Sequence, residues 1–377
     1  MSSLHRCLPW LILLLVLRDG GGGTAVAAAG KVPAIIVFGD SSVDTGNNNF
    51  IPTIARSNFW PYGLDFADGH PTGRFSNGRL ATDFISEAFG LPASIPAYLD
   101  TTLTIDDLAA GVSFASASTG LDNATAGILS VITMAEQLEY FKEYKLRLKL
   151  AKGDARGEEI IREALYIWSI GTNDFIENYY NLPERRMQYT AAEYEAYLLG
   201  LAESSIRAVH ALGGRKMDFT GLTPMGCLPA ERMGNRGDPG QCNEEYNAVA
   251  RSFNAKLKQA VVPKLNKELP GLHLVYADTY DVLDAVVRKP ADYGTCAVRV
   301  AMHAQPINSG MHGRGRARFS ELVGCIHALR SIVRSFRLMV HSTAPLQREA
   351  RHGRHMPCLL LHAPPPVART VRGIIMH

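Results

Sequence analysis

Ser41 follows the apolar, β-branched run Ala34–Phe38 and then Gly39 and Asp40. A serine hydroxyl at the carboxyl end of a buried strand can stand clear of the sheet edge, and the start of a following helix offers N–H groups to a developing oxyanion. That is the chemistry of a nucleophile, although a serine so placed can also simply cap a helix. A second string, Gly111-Val112-Ser113-Phe114-Ala115-Ser116-Ala117-Ser118-Thr119-Gly120, is built of small residues that let a backbone N–H come close to a reacting oxygen. Its plainer reading is a tight turn. The third string, Ser169-Ile170-Gly171-Thr172-Asn173-Asp174, ends the most apolar strand-like run of the chain. The Asn173 amide can donate to an oxyanion, an interaction worth about 2.7–4 kcal/mol in hydrolases, or it can cap a turn.

The elements that must position these residues alternate in type. Short apolar runs predict strands at Ala34–Phe38, Val112–Ala115, Leu165–Ile170, Met217–Thr220 and Leu272–Tyr276. Helical spacing predicts helices over Leu80–Phe89, along the stripe Met134, Leu138, Phe141, Lys145 and Leu148, and over Ala191–Leu212, Tyr246–Leu269 and Tyr280–Val287. Pro263 is expected to kink or divide the fourth of these. Strand and helix in alternation mean a parallel sheet with helices on both faces. Active sites of such sheets lie at the carboxyl ends of strands, which directs attention to the residues after Phe38, Ala115 and Ile170.

Taken whole, Phe38-Gly39-Asp40-Ser41-Ser42-Val43-Asp44-Thr45-Gly46-Asn47-Asn48-Asn49 resembles the first signature block of the GDSL (SGNH) hydrolases, in their plant esterase/lipase form. The second and third strings resemble the next two blocks, in the same order. The segments Pro71–Arg79, Gly221–Pro229 and Val275–Asp278 also resemble plant members. The resemblance runs from about Ala34 to Gly294. It implies a three-layer α/β/α, flavodoxin-like hydrolase domain that cleaves carboxylic (acyl) esters of lipids or small molecules without a cofactor. It implies Ser41 as nucleophile, with Gly120 supplying an oxyanion-hole N–H and Asn173 a side-chain donor. Ser113 is a mild departure, since the plant pattern more often has Asn there.

A second departure is larger. The resemblance implies a fifth block, Asp-x-x-His-Pro, which carries the base and its orienting Asp. No Asp follows Asp292 in this sequence. Asp68-Gly69-His70-Pro71 imitates the block but is one residue short, and His210 and His273 read as surface residues of a helix and a strand. The triad Asp and His are therefore left unassigned. The alternative function is a catalytically impaired isoform that at most binds esters or glycans.

Composition divides the chain further. Residues 1–29 read as a signal peptide, with Arg6, the apolar run Leu8–Leu17 and small-residue cleavage sites at Ala25–Ala29. Secretion to the extracellular space, the cell wall by family resemblance, is the expected outcome. Residues 30–294 form the expected hydrolase domain. Residues 31–296 hold 25 Lys and Arg against 33 Asp and Glu, whereas residues 297–377 hold 12 Arg, no Lys and two Glu. The tail 295–377, Arg- and His-rich with Pro364–Pro366, is expected to be disordered and has the composition of a translated intron or shifted frame. Nucleic-acid binding by it is not expected in a secreted chain. Cys227 and Cys242 are placed to close a small disulfide ring, leaving Cys296, Cys325 and Cys358. No His/Cys cluster has zinc-site spacing, so no metal is expected. Asn123-Ala124-Thr125 is an N-glycosylation acceptor. The mature protein is expected to be a monomer with no membrane anchor.

Overall fold

A computed structural model of the chain describes residues 32–235 and 240–290. The leader, the tail and Cys296 lie outside the described residues.

Five short runs become five parallel strands: β1 Ile35–Gly39, β2 Gly111–Ser113, β3 Leu165–Ser169, β4 Lys216–Thr220 and β5 His273–Ala277. They lie in the order β2-β1-β3-β4-β5, which is the flavodoxin-like doubly wound order. Ile35 pairs with Gly111 and Leu165, Leu165 with Lys216, and Lys216 with His273. β1, β2 and β3 are therefore neighbours, and the three strings with chemistry leave the same edge of the sheet.

Alternation along the strands sends side chains to two faces. Ile36, Phe38, Tyr166, Trp168, Met217 and Phe219 join the larger core, under helices that include Met134–Lys152, Ala191–Ala211 and Glu244–Lys256. Ile35, Val37, Leu165 and Ile167 form the smaller core, with Ile85 of the helix Ala81–Ala88. On the larger face an aromatic row runs from the residue just after β2 across β1, β3 and β4, near their carboxyl ends. Phe38 stacks between Phe114 (centroids 5.4 Å) and Trp168 (5.1 Å), and Trp168 lies parallel to Phe219 (6.4 Å). Such pairs add about 0.5–1.5 kcal/mol each beyond their burial, and they form a stiff floor under the loops above.

Capping boxes start two of the long helices. Thr133 and Glu136 bond reciprocally at Met134–Lys152, and Thr190 and Glu193 do so at Ala191–Ala211. The first of these helices corrects the predicted stripe. Its buried side chains are Met134, Gln137, Phe141, Tyr144 and Leu148; Leu138 is only partly buried, and Lys145 reaches out to donate to the Leu212 carbonyl. Apolar spacing alone misleads here because a polar side chain, Gln137, takes one of the buried positions. Glu244–Lys256 continues through a wider π turn, Leu257–Val261, into Val262–Glu268. That turn precedes Pro263, whose ring cannot coexist with an ordinary carbonyl four residues back. Among the described residues no helix is long and apolar enough to cross a membrane.

Candidate active site

The turn after β1 begins at Gly39, and only glycine fits there. Its φ is +148°, and a Cβ would lie 2.1 Å from the Ser169 carbonyl oxygen. Gln137, fully buried, grips this residue at both ends: the Gly39 N–H donates to its Oε1 at 3.0 Å, and its Nε2 donates to the Gly39 oxygen at 2.9 Å. The Asp40 N–H then donates to Ser169 O, which ties the turn to β3. The position of Ser41 is thus set by a side chain from a helix about a hundred residues away.

Ser41 and Ser42 differ in their surroundings. Ser42 Oγ donates to Asp40 Oδ1 at 2.7 Å and lies 2.7 Å from Ser169 Oγ. Its N–H also donates to Asp40 Oδ1. Ser41 is partly buried, and among the described residues its hydroxyl and its N–H have no hydrogen-bond partner. Burial raises the Asp40 carboxyl to about 6, against the two bonds from Ser42. Burial raises Glu177 to about 7 as well, with the Asp40 charge adding to the effect.

The rest of the first string sews the β1 loop to the second. Asp44 accepts from the N–H groups of Gly46, Asn47 and Ala117. The Asn47 amide donates to the carbonyls of Ser113 and Ala115 and accepts from Leu99 N–H. The Asn48 amide donates to the carbonyls of Ala55 and Ala117 and accepts from the Ser116 hydroxyl. The departing residue Ser113 takes part too: its buried hydroxyl donates to the Val43 carbonyl at 2.9 Å.

The second and third strings meet at Gly120. The Asn173 Nδ2 donates to the Thr119 carbonyl at 2.9 Å, which sets the amide against the peptide before Gly120. Asp174 accepts from Leu121 N–H (2.8 Å), Asp122 N–H (3.1 Å) and the Thr125 hydroxyl (2.6 Å). Gly120 is buried, yet no described residue accepts from its N–H. The N–H groups of Ser41 and Gly120 have no acceptor among the described residues, and the Asn173 amide, with one hydrogen on the Thr119 carbonyl, has the other to spare. Chemically, such donors suit an oxygen that gains negative charge. Burial raises Asp174 to about 7, opposed by its three donors.

The described histidines lie elsewhere. His273 begins β5, paired with Lys216, so it is about 13 Å of strand from the carboxyl edge. His210 bonds the Pro270 carbonyl at the same amino edge. His70 is largely exposed, 3.8 Å from Asp68 in a loop. None of the three is hydrogen-bonded to Ser41. Among the described residues no group of three or more His, Cys, Asp or Glu is placed to hold a metal.

Cys227 and Cys242 are bonded, with Cα atoms 4.3 Å apart. Asn123 is exposed at the start of the helix Asn123–Leu129, while Thr125 of the same acceptor motif is buried on Asp174. Arg74, from the string Pro71–Arg79, is buried and pairs with Asp83 at 3.1 Å, a packing role remote from Ser41 in bonding terms. Sequence reasoning missed Gln137 and Asp174. The signal for the first was a polar residue at a core position of a helix. For the second it was an Asp directly after the donor Asn.

Residues 35–312 match the family described as GDSL-like lipase/acylhydrolase. The chain is similar to several plant proteins. It is 54% identical over 271 residues to GDSL esterase/lipase At2g04570 of Arabidopsis thaliana, covering 72% of this chain and 77% of that protein. It is 55% identical over 272 residues to GDSL esterase/lipase At2g42990 of the same plant, with the same coverage. It is 51% identical over 271 residues to GDSL esterase/lipase At4g26790, again covering 72% and 77%.

Proposed function

Because the chain belongs to the GDSL-like lipase/acylhydrolase family, whose members hydrolyse ester bonds, we propose that it is a secreted serine hydrolase of acyl esters with Ser41 as its nucleophile. The observation that carries this reading is that, after three adjacent parallel strands, the Ser41 hydroxyl and the N–H groups of Ser41 and Gly120 have no partner among the described residues, while the Asn173 amide, held on the Thr119 carbonyl, has one hydrogen left over. In the reaction Ser41 Oγ bonds the acyl carbon and gives its proton to a base. The carbonyl oxygen takes the negative charge and the three donors. Collapse expels the alcohol, which takes up a proton, and water then releases the acid from the acyl-enzyme. The substrate is a lipid or small-molecule ester. The domain spans residues 30–294 after removal of residues 1–29, and the exposed Asn123 supports its assignment as a glycan site.

The test is labelling with a fluorophosphonate probe. Ser41→Ala should abolish it. Ser42→Ala should leave it in place, because the Ser42 hydroxyl is already held between Asp40 and Ser169. Undiminished labelling of the Ser41 variant would show that another residue is the nucleophile.

One observation supports a second reading, an impaired isoform that binds esters or glycans without efficient turnover. No Asp follows Asp292, so the tail contains no Asp-x-x-His, and the three described histidines have other places in the fold. A wild-type chain that binds an ester analogue but takes no label would favour this reading.

A further inference from the structure

The segment between Phe50 and Leu64 carries an exposed apolar surface that the ester chemistry does not use. Ile54 is 86% exposed, Trp60 73%, Phe59 54%, and Phe50 and Leu64 45% each. Five large apolar side chains so exposed within fifteen residues are the kind of surface that serves for docking. We propose that this rim docks on an uncharged lipid surface and presents the loop at Gly120 to it.

Its attachment to the site is direct. The Asn48 Nδ2 donates both to the Ala55 carbonyl, at 2.8 Å, and to the Ala117 carbonyl, at 3.2 Å. One amide group thus bridges the rim and the loop that leads to Gly120. On the other side of Ile54, the Thr53 hydroxyl donates to the Leu129 carbonyl at 2.7 Å, at the end of the helix that follows Gly120. Ile54 is held out between these two anchors. The aromatic part is braced as well: Phe59 packs edge-on against Tyr62 (5.4 Å), and Tyr62 against the buried Phe75 (5.9 Å). A fixed rim loses little freedom on docking.

Charge selects the occupant. From Phe50 to Leu64 the only Lys, Arg, Asp or Glu is Arg56, and its guanidinium is turned back to donate to the Ile51 carbonyl of the same segment. Ile54 protrudes far enough to enter a fluid acyl layer. Trp60 and Tyr62, with apolar rings and polar edges, suit the boundary between acyl chains and water. A rim whose one cation is turned back onto its own backbone matches an uncharged interface and gains little from an anionic one. The inference takes its substrate class from the ester-hydrolase reading, so its test reads binding and not turnover.

The full secreted chain bearing Ser41→Ala is floated with vesicles of pure phosphatidylcholine. The expected result is flotation that salt does not weaken, with a blue shift in the emission of Trp60; Trp168 is buried throughout, and Trp10 lies in the expected leader. Ile54→Asp and Trp60→Asp should each lower the partition coefficient about tenfold or more, the loss of one large buried apolar side chain. Both positions are exposed, and circular dichroism checks that the variants stay folded. Four results would overturn the proposal: no flotation, flotation unchanged in both variants, flotation confined to anionic phosphatidylserine vesicles and lost in salt, or a dimer dispersed by Ile54→Asp in place of vesicle binding. Because Ser41 is absent throughout, none of these bears on the nucleophile, which the fluorophosphonate probe tests separately.

Discussion

A Cβ added to Gly120 would lie 2.1 Å from Asp174 Oδ1 and 2.5 Å from its carboxyl carbon. Gly120 and Asp174 are therefore a fitted pair. The carboxylate occupies the space a side chain would need, and from there it holds the next two N–H groups of the loop. Asp174 and Asn173 are adjacent, so one peptide carries both the proposed oxyanion donor and the group that orders the loop opposite it.

Gly120→Ala should cost about 1–3 kcal/mol of stability, as overpacking does, and should slow fluorophosphonate labelling by displacing the loop. Gly127 is the control. It lies in the helix Asn123–Leu129, and a Cβ there would meet nothing within 4 Å. Gly127→Ala should be neutral or stabilise by up to about 1 kcal/mol, from helix propensity. Urea unfolding measures both, and equal effects at the two positions would contradict the fitted pair.

Asp174 also gives a pH dependence with a definite sign. Burial raises its carboxyl from 3.8 to about 7 in the folded chain. The folded state then holds the proton more tightly than the unfolded one, so the stability from this group is fully present below 3.8 and is lost as pH rises through about 7. Asp40 and Asp44, each raised to about 6, and Glu177, raised to about 7, titrate in the same window. Asp174→Asn removes its own contribution and leaves those of Asp40, Asp44 and Glu177. The stability of wild type relative to this variant should fall steadily from pH 4 to pH 8, both taken as rough limits of the titration. Denaturation at each pH tests it, and a difference independent of pH would refute the assignment.

Gln137→Leu should destabilise the chain by about 1–3 kcal/mol, the cost of an unpaired buried donor. The Gly39 N–H would lose its acceptor, whereas the Gly39 oxygen would keep Ser116 N–H. Labelling at Ser41 should slow in parallel, because the turn that carries it loses its clamp. Gln137→Glu should be no better, since it keeps an acceptor for the N–H but sets a carboxylate against the Gly39 oxygen. A stable Gln137→Leu protein with unchanged labelling would mean that the strand end holds itself.

Turnover of p-nitrophenyl butyrate by the natural chain should be far below that of a chimera carrying an ordinary plant GDSL C-terminus after Gly294. A serine hydroxyl needs an adjacent base, and loss of a triad member costs on the order of 10⁴–10⁶ in turnover. Equal rates would show that a histidine of this chain serves as the base.

Much of the site was legible in order along the chain. Strand runs that end at Gly39 and Gly171 and at the small-residue string before Gly120 can be read as motifs, and alternation of strand and helix already implies a parallel sheet. The string from Phe38 to Asn49 was recognisable, but its reason was not. Asp44, Asn47 and Asn48 matter because they bond to carbonyl and N–H groups at residues 113 to 117. Nothing in the local sequence announces a partner some seventy residues away.

What the sequence determined by itself is local: the strand runs, the capping boxes at Thr133 and Thr190, the Ser–Gly–Asn motifs and the absence of an Asp after Asp292. These follow from side-chain type and spacing, which act over a few residues. Tertiary structure alone decided that Ser42 is held while Ser41 has no partner among the described residues, that Gln137 grips Gly39, and that Asp174 fills the space left by Gly120. Those outcomes depend on which strands become neighbours. Until β2, β1 and β3 pair, no hydrogen bond between their loops can form, and no periodicity within one segment encodes it.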